Sequence, residues 1–437
     1  CTVYSILGLY IHLLGGERCI CKRVSVHYKK LQHMRYISII AIMVSLITIS
    51  CKTKINPSLN NYVSHIEREK CTAKDYIIRQ WDKKDIVILC ERYHGEMTQY
   101  DLIFDIIKSD YFIDNVGSIF TEVGSVSVQK ELNAFLLKEY SDSIKQYQDL
   151  IKIYRNITCL YWEKSNFFFL LKKINQLNST LPNDKKIKVY TSDFINPKFL
   201  ETKTKEDFLT YRKKQLFRDR DSVMAENIIH VYDSLYQLGK NKCLVIMNYR
   251  HAFLKNILSA NGALITNTGA VLNNNYKNKV ASVYINSLAL TTKPIDTTKN
   301  VAFQNYCDVP IQDGKWDAAF KILKKENLGF DFKDNQFGID SLDIWPFSKQ
   351  YTYQDIFTGM VYYLPITKHF EAYGLEGFVD SIYVDELYRR LLIFNAVYGG
   401  EKVEKADLIK SFEYEEMKYE GLDRLETQIN KWMNNEH

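Results

Sequence analysis

Residues 85–107, DIVILCERYHGEMTQYDLIFDII, contain the transition that decides the fold. The apolar run 86–90 is typical of a buried strand, and the aliphatic side chains of residues 100–107 recur at helical spacing. Glu91 and His94 stand three residues apart in the turn between them. Strand, turn and amphipathic helix form the repeating unit of α/β proteins. We therefore expect this carboxylate and this imidazole at the end of a central strand.

Further apolar runs of strand length are separated by helical patterns. These runs are 116–120, 187–190, 244–247 and 280–286, with another strand expected near Val361. Helical spacing extends over residues 162–178 and over 211–239, where one long helix is expected to end at Gly239. Residues 254–345 are rich in polar residues and predict loops with short elements. The pattern predicts an α/β fold with a mostly parallel central sheet flanked by helices, followed by a helical C-terminal region.

The composition describes a globular chain with little net charge outside its N-terminal region. The 437 residues are 46% hydrophobic and include 31 Tyr and 23 Phe, enough for one large or two ordinary domains. Residues 1–50 contain six Lys or Arg and one acid, which leaves about +1 of the net charge of +6 for the rest. A basic footprint for nucleic acid is therefore absent from the sequence, and we expect no nucleic-acid partner.

The N-terminal region has the pattern of a targeting segment. Residues 34–51, MRYISIIAIMVSLITISC, combine a basic start, a short apolar run and a small residue before Cys51. This resembles a bacterial lipoprotein signal in which Cys51 becomes the lipidated N-terminus. An ordinary signal and a plain anchor helix are the alternatives. A lipid anchor would place the protein in the cell envelope, on the periplasmic or outer-membrane face.

These patterns divide the chain into five segments. Residues 1–33 are either an over-extended reading frame or a second hydrophobic segment, and residues 34–50 are the signal. A polar tether is expected over 51–75, the main α/β domain over 76–375 and the helical region over 376–437. The cysteines after Cys51 are widely spaced and show no CxxC pattern, which argues against a zinc–thiolate site or a disulfide scaffold.

Polar residues stand at the ends of four predicted strands, where open parallel sheets bind ligands. In strand order they are Glu91 with His94, Glu122, Asp193, and Tyr249 with His251. Each has a structural interpretation when taken alone, as a helix-terminal acid or a core histidine. Together they would converge on one crevice if the predicted topology is correct.

The helical segment 211–239 adds two residues to this group. Its apolar stripe is formed by Leu216, Val223, Met224, Val231 and Leu235. Arg220 and Asn227 fall within that stripe. A buried arginine requires a partner, and the carboxylates at the strand ends are the expected ones.

These residues resemble the motifs of the erythromycin esterase-like family, with haem-uptake lipoproteins and Tiki-type peptidases as more distant relatives. The family's first strand ends in Gly-Glu-x-x-His-Gly, and here residues 90–95 read CERYHG, with Cys90 in place of the first Gly. A strand-end Glu corresponds to Glu122, and residues 220–227, RDSVMAEN, fit Arg-Asp-x-x-Met-Ala-x-Asn. The family's His-Asn-x-His corresponds to residues 248–251, NYRH, which keep only the last His.

The resemblance implies a bacterial hydrolase of small molecules that contain an ester or a lactone. His94 would be the general base for water, and Glu91 or Glu122 would orient it. Arg220 and His251 would stabilise the oxyanion or hold a substrate carboxylate. Asp193, Tyr249 and Asn227 are the expected substrate-binding residues, and no cofactor is required.

Two alternatives remain open from the sequence. A divalent metal at Glu91, His94, Glu122 and His251 would make the protein a metal-dependent hydrolase or peptidase. A surface lipoprotein with the same cleft would bind haem or a nutrient without catalysis. In that version the aromatic residues Tyr351, Tyr353, Tyr362 and Tyr363 would line the site.

Overall fold

The structure is a computed structural model that describes residues 55–216, 218–294, 306–400 and 403–434. The predicted signal over 34–50 and the predicted lipidation site Cys51 lie outside these residues. Within the described ranges, every helix is too short or too polar to cross a lipid bilayer.

The predicted apolar runs form six strands of a seven-stranded sheet. The strands of the chain are β1 (Ile86–Glu91), β2 (Ser118–Ser125), β3 (Lys188–Asp193), β4 (Cys243–Asn248), β5 (Ile257–Leu258), β6 (Leu264–Ile265), β7 (Val280–Ile285), β8 (Leu288–Pro294), β9 (Tyr306–Pro310), β10 (Asn327–Asp331), β11 (Gly359–Tyr363), β12 (Glu371–Tyr373) and β13 (Glu415–Met417). The sheet order is β10-β11-β7-β1-β4-β2-β3. Neighbouring strands are parallel except β10, which pairs antiparallel with β11 at the edge. The predicted α/β class with a mostly parallel sheet is confirmed.

Helices cover this sheet and extend into the C-terminal region. They are α1 (Asn60–Arg68), α2 (Ala73–Gln80), α3 (Thr98–Ile107), α4 (Asp110–Asn115), α5 (Gln129–Leu137), α6 (Ser143–Tyr154), α7 (Ser165–Thr180), α8 (Lys205–Leu216), α9 (Arg220–Gln237), α10 (Thr268–Asn275), α11 (Lys315–Leu323), α12 (Gln336–Ile339), α13 (Tyr353–Ile356), α14 (Val384–Tyr398), α15 (Lys405–Lys410) and α16 (Leu422–Met433).

Strand β1 reads as an uninterrupted apolar run because both of its faces are covered. Ile86, Ile88 and Cys90 belong to the hydrophobic core on one face of the sheet. Val87 and Leu89 belong to the core on the other face. A strand buried on both sides needs no polar alternation, and this is the usual pattern of central parallel strands.

The segment 211–239 forms two helices, where one was predicted. Helix α8 ends at Leu216, and α9 begins at Arg220 after Asp219, whose side chain accepts a hydrogen bond from the Ser222 N–H and caps the new helix. The predicted C-terminus is correct, because Gly239 has a φ of +76° and its N–H binds the Tyr236 carbonyl. The break turns Arg220 into the first residue of a helix.

Residues within the predicted tether also belong to the folded domain. Helix α1 lies inside the range 51–75, and its Tyr62, Val63 and Ile66 are buried. At the other end of the chain, Leu425 and Ile429 of α16 are buried in the same core as the sheet. Apolar positions in both terminal segments therefore pack on the α/β domain.

Two predictions for the middle of the chain need correction. The range 254–345 contains a regular helix, α11, and the edge strand β10. Only the three central residues of β10 are buried, so its sequence does not show the apolar run that identified the other strands. Tyr351, Tyr353, Tyr362 and Tyr363 do not line the cavity at the carboxyl edge of the sheet, and Tyr353 and Tyr362 are buried in the core. Tyr362 stacks on Phe320 of α11 with ring centroids 3.8 Å apart.

Candidate active site

The strand ends predicted to meet do meet at the carboxyl edge of the sheet. Glu91 of β1 lies beside Asn248 of β4 in the strand register. Strand β2 runs alongside β4 until Thr121, and its pairing with β3 becomes irregular between Thr121 and Ser125. Glu122 lies in this irregular segment, so its side chain reaches the crevice before the strand ends.

His94 is oriented by the carboxylate three residues before it. Its Nδ1 lies 2.9 Å from Glu91 Oε2. The other oxygen of Glu91 accepts a hydrogen bond from the hydroxyl of Tyr100 on α3. The side chain of His94 is 22% exposed, whereas that of Glu91 is 1% exposed. The buried Glu91 therefore fixes one side of the ring and leaves Nε2 for the crevice.

The turn that carries His94 is built on a buried arginine. Arg92 is 0% exposed. Its Nη1 donates to Glu96 Oε2 at 2.9 Å, its Nε donates to the Asn286 carbonyl at 2.6 Å, and Nη2 also binds the Tyr363 carbonyl. These bonds attach the β1–α3 turn to the ends of β7 and β11. A buried charge held by several acceptors fixes the backbone on which His94 stands.

Glu122 is the common partner of the site's cationic groups. Its Oε1 lies 3.1 Å from Arg220 Nη1, 3.3 Å from His251 Nε2 and 3.6 Å from His94 Nε2. Its Oε2 accepts the backbone N–H of Asn248 at 2.8 Å. Through these contacts the buried Glu122 connects β2, on which it lies, to β4, to α9 and to the turn that carries His94.

Arg220 and His251 are each held by a second carboxylate. Arg220 donates from Nε and Nη2 to the two oxygens of Asp193, at 3.1 and 2.9 Å. His251 Nδ1 lies 2.9 Å from Asp221 Oδ1, which also accepts the Thr268 N–H at 2.8 Å. Bidentate and charge-assisted contacts of this kind set the direction of both cations.

The charges in this cluster alter its protonation equilibria. Burial opposes the imidazolium form of His94, but Glu122 and Glu91 outweigh it and raise the pKa. Burial also opposes the charged form of His251, yet Glu122 and Asp221 raise its pKa to about 10. Burial would raise the pKa of Glu122, but His251, His94 and Arg220 hold it well below its usual value. Glu122 is therefore ionised and His251 protonated at neutral pH.

The cluster opens into one large cavity of about 980 Å³. His94, Glu122, Asp193, Arg220 and His251 all contribute to its wall. Other lining residues come from the segment between α6 and α7, from α8 and from α14, and they include Trp162, Tyr211, Arg212 and Phe394. The Trp162 ring packs edge-on against His94 with centroids 5.1 Å apart. The volume suits a small-molecule ligand.

The predicted substrate-binding residues take different places. Tyr249 is buried and lines the cavity. Asp193 also lines it, but both of its oxygens are bound to Arg220. Asn227 is not part of the cavity wall, because its amide donates to the Ser192 carbonyl at 2.9 Å and ties α9 to β3.

Sequence reasoning missed three contributors to the site. Asp221, which holds His251, directly follows Arg220 and stands at a fixed position of the quoted helix motif, so a signal was present. Tyr100 and Trp162 act through contacts with Glu91 and His94 that no local pattern predicts.

A subset of the predicted metal ligands has suitable spacing. Within the described residues, one ligand atom each from Glu91, His94 and Glu122 lie within 4.8 Å of one another, whereas the predicted fourth ligand His251 falls outside this group. The chemistry of the set fits a divalent cation only in part. The Glu122 oxygen that faces His94 already faces Arg220, whose fixed positive charge would repel a metal ion.

No protein-family model and no curated protein matches this sequence. Solved structures with a similar fold include a protein from Bacillus cereus, with 12% identity, a TM-score of 0.40, and coverage of 69% of this chain and 96% of that one. A mutant of erythromycin esterase EreC in its open conformation has 10% identity and a TM-score of 0.42, covering 65% and 91%. Haem-bound ChaN of Campylobacter jejuni has 13% identity and a TM-score of 0.28, covering 52% and 88%. These values describe similarity of fold and assign no activity to this chain.

Proposed function

We propose that this protein is a metal-independent hydrolase of small molecules that contain an ester or a lactone, with His94 as the general base. The observation that carries the proposal is the contact between the buried Glu91 and Nδ1 of His94, a residue that lines the cavity, which leaves Nε2 to accept a proton. An imidazole oriented by a carboxylate is the usual arrangement for proton abstraction. The ester class rests on the motifs at residues 90–95 and 220–227, which resemble the erythromycin esterase-like family.

The proposed reaction begins with proton transfer from water to His94 Nε2. The water oxygen attacks the carbonyl carbon and forms a tetrahedral intermediate. Collapse of this intermediate breaks the bond to the leaving alkoxide, which takes the proton back from the His94 imidazolium. The products are a carboxylic acid and an alcohol, so atoms and charges balance without a co-reactant.

Arg220 and His251 supply the positive charge for the oxyanion. Both line the cavity beside Glu122 and are fixed by Asp193 and Asp221. A preorganised donor aimed at a developing oxyanion contributes about 3–4 kcal/mol to catalysis. Glu122 keeps the two cations in place and stabilises the imidazolium of His94 after proton transfer.

A metal-dependent hydrolase is the second candidate, favoured by the spacing of Glu91, His94 and Glu122. In that version the three residues would hold a divalent cation that lowers the pKa of a bound water. We rank it second because Arg220 and His251 already occupy the Glu122 oxygen.

The test compares His94→Ala with the wild type on a panel of p-nitrophenyl esters and lactones. We expect a fall in kcat/KM of about 100-fold or more, the usual contribution of a general base. The control is His230→Ala, which removes an exposed histidine on α9. Melting temperatures of both variants separate loss of chemistry from loss of folding.

The outcomes discriminate between the candidates. Activity that persists after EDTA dialysis supports the metal-independent reaction, and activity restored only by added divalent cation supports the second candidate. Full turnover by His94→Ala on a substrate that the wild type hydrolyses would remove His94 from the mechanism. A protein that binds small molecules in the cavity but hydrolyses none of the panel would be a binding protein.

A further inference from the structure

We propose that the substrate carries an oxyanion, a carboxylate or a phosphate group, in addition to its ester, and that Arg212 and Arg250 bind this group. The inference rests on the proposed hydrolase function and specifies the substrate class of the same cavity. It follows from the donors and charges that the cavity wall leaves without partners.

Three buried N–H groups in the cavity wall have no acceptor within the described part of the chain. They are Nε1 of Trp162, Nε of Arg212 and Nε of Arg250. Indole and guanidinium nitrogens can only donate hydrogen bonds. A buried donor without an acceptor costs free energy, and because these three atoms are not themselves exposed to the cavity, a ligand would meet the terminal guanidinium nitrogens of Arg212 and Arg250.

Four arginines line the cavity, and two of them have a carboxylate partner while two do not. Arg220 forms ion pairs with Asp193 and Glu122, and Arg218 forms one with Glu226. Among the described residues, no carboxylate lies within 4.0 Å of the guanidinium nitrogens of Arg212 or Arg250. Neither guanidinium therefore has an ion-pair partner among the described residues, and both planes suit a carboxylate or phosphate.

Both arginines are oriented by contacts that leave their charge intact. Arg250 is placed by its backbone, whose N–H donates to Asn248 Oδ1 at 3.2 Å. Its guanidinium carbon lies 5.6 Å from the ring centroid of Tyr249. Arg212 lies at the same distance, 5.6 Å, from the ring centroid of Tyr398. Aromatic rings orient a guanidinium without neutralising it.

Two of the three donors, those of Arg250 and Trp162, lie beside the reacting groups. Arg250 immediately precedes His251, and Trp162 packs against the His94 ring. The one further acid that shares this wall, Asp308, accepts a hydrogen bond from the Tyr93 hydroxyl, and burial raises the pKa of its carboxyl group. Arg250 counteracts this rise, so Asp308 faces part of its charge, and an oxyanion bound by Arg250 would lie close to the ester carbonyl.

The test uses two esters with the same leaving group, neutral p-nitrophenyl butyrate and mono-p-nitrophenyl glutarate, which carries a free carboxylate. The wild type should prefer the anionic ester in kcat/KM. Arg212→Gln and Arg250→Gln should each reduce that preference about tenfold, because each loses one charge-assisted hydrogen bond. The matched control is Arg218→Gln, which removes an arginine of the same wall that is already paired with Glu226.

A second readout does not depend on turnover. Glutarate and inorganic phosphate are tested separately as stabilising ligands by thermal shift, and the shift should disappear in Arg250→Gln and persist in Arg218→Gln. A shift by glutarate alone identifies a carboxylate site, and a shift by phosphate alone identifies a phosphate site.

The results separate this inference from the proposed function. Hydrolysis of both esters without preference, or an equal loss of preference in Arg218→Gln, overturns the oxyanion site while the hydrolase remains. Absence of hydrolysis together with an Arg250-dependent shift supports the oxyanion site and overturns the hydrolase. If neither probe shifts the melting temperature and no preference is found, the oxyanion site is refuted.

Discussion

At the scale of single residues, His94 lies between two carboxylates. Glu91 Oε2 is 2.9 Å from Nδ1, and Glu122 Oε1 is 3.6 Å from Nε2. Burial opposes the imidazolium, but the two negative charges raise the pKa above 6.5. A general base has to be neutral to accept a proton, so His94 becomes competent only as the pH rises through this raised value.

We therefore predict an activity profile displaced towards alkaline pH. The acidic limb of kcat/KM in the wild type should have an apparent pKa above 6.5. Glu122→Gln removes one of the charges that stabilise the imidazolium, so the limb should move to lower pH in this variant. The measurement is kcat/KM for one ester from pH 5 to 10. A wild-type limb at or below the ordinary histidine value of about 6.5 would contradict this assignment.

At the scale of elements, the sequence predicted the sheet better than the site. Runs such as 86–90 and 280–286 identified central strands, because burial on both faces requires continuous apolar residues. The break before α9 was missed because Arg218 and Asp219 continue a helical charge pattern. The contacts of the site join residues far apart in the chain, such as Arg220 and Glu122, 98 positions apart, and only the topology brings them together.

The break between α8 and α9 gives Asp219 a testable role. Its carboxylate accepts the Ser222 N–H at 2.8 Å and caps α9, the helix that begins with Arg220. Asp219→Ala should lower the free energy of unfolding by about 1 kcal/mol, the usual contribution of an N-cap. It should also lower kcat/KM, because Arg220 occupies the first turn that the cap fixes.

Urea denaturation and ester kinetics check this prediction. Ser234→Ala on the same helix is the control, since Ser234 is exposed and far from the first turn. A stable Asp219→Ala protein with full activity would show that Arg220 is positioned by Asp193 and Glu122 alone.

The turn between β1 and α3 depends on Arg92 in a similar way. Arg92→Met removes a buried cation and leaves Glu96 buried without its ion-pair partner. Removing one partner of a buried pair costs about 3–5 kcal/mol, whereas an exposed pair contributes about 0–1 kcal/mol. Arg218→Met is therefore the control, because Arg218 and Glu226 form an exposed pair. Equal urea midpoints for the two variants would mean that the Arg92 cluster does not hold the turn.

At the scale of the whole molecule, the site's charges connect β1, β2, β3, β4 and α9, so they contribute to the stability of the fold as well as to chemistry. The pKa of His251 rises from 6.5 to about 10 on folding. Such a group stabilises the protein fully below pH 6.5, and this contribution is lost as the pH rises through 10. Glu122 has a lowered pKa, so its contribution is present above pH 4.5 and is lost as the pH falls through its folded value.

Other buried groups act on stability in the opposite direction or over another range. Burial lowers the pKa of His369 to about 3. Below pH 6.5 the unfolded chain therefore binds a proton that the folded protein does not, and the stability of the fold decreases as the pH falls. Burial raises the pKa of Asp317 to about 6, so its protonated form stabilises the fold. This contribution to stability is lost as the pH rises from 3.8 to 6. The stability of the wild type alone therefore does not isolate the site, but a difference between two proteins does.

We predict that the difference in unfolding free energy between the wild type and His251→Gln is largest below pH 6.5 and decreases towards pH 10. His251 is 21% exposed, so after allowance for solvent screening we expect a pH-dependent part on the order of 3 kcal/mol. Urea denaturation at pH 5.5, 7.5 and 10 measures it, with His230→Gln, an exposed position on α9, as the control. A difference that stays constant over this range would show that the pKa of His251 does not change on folding, so that His251 is mostly neutral in the folded protein at pH 7.5. Glu122 would then have lost a cationic partner, and the oxyanion charge would have to come from Arg220 alone.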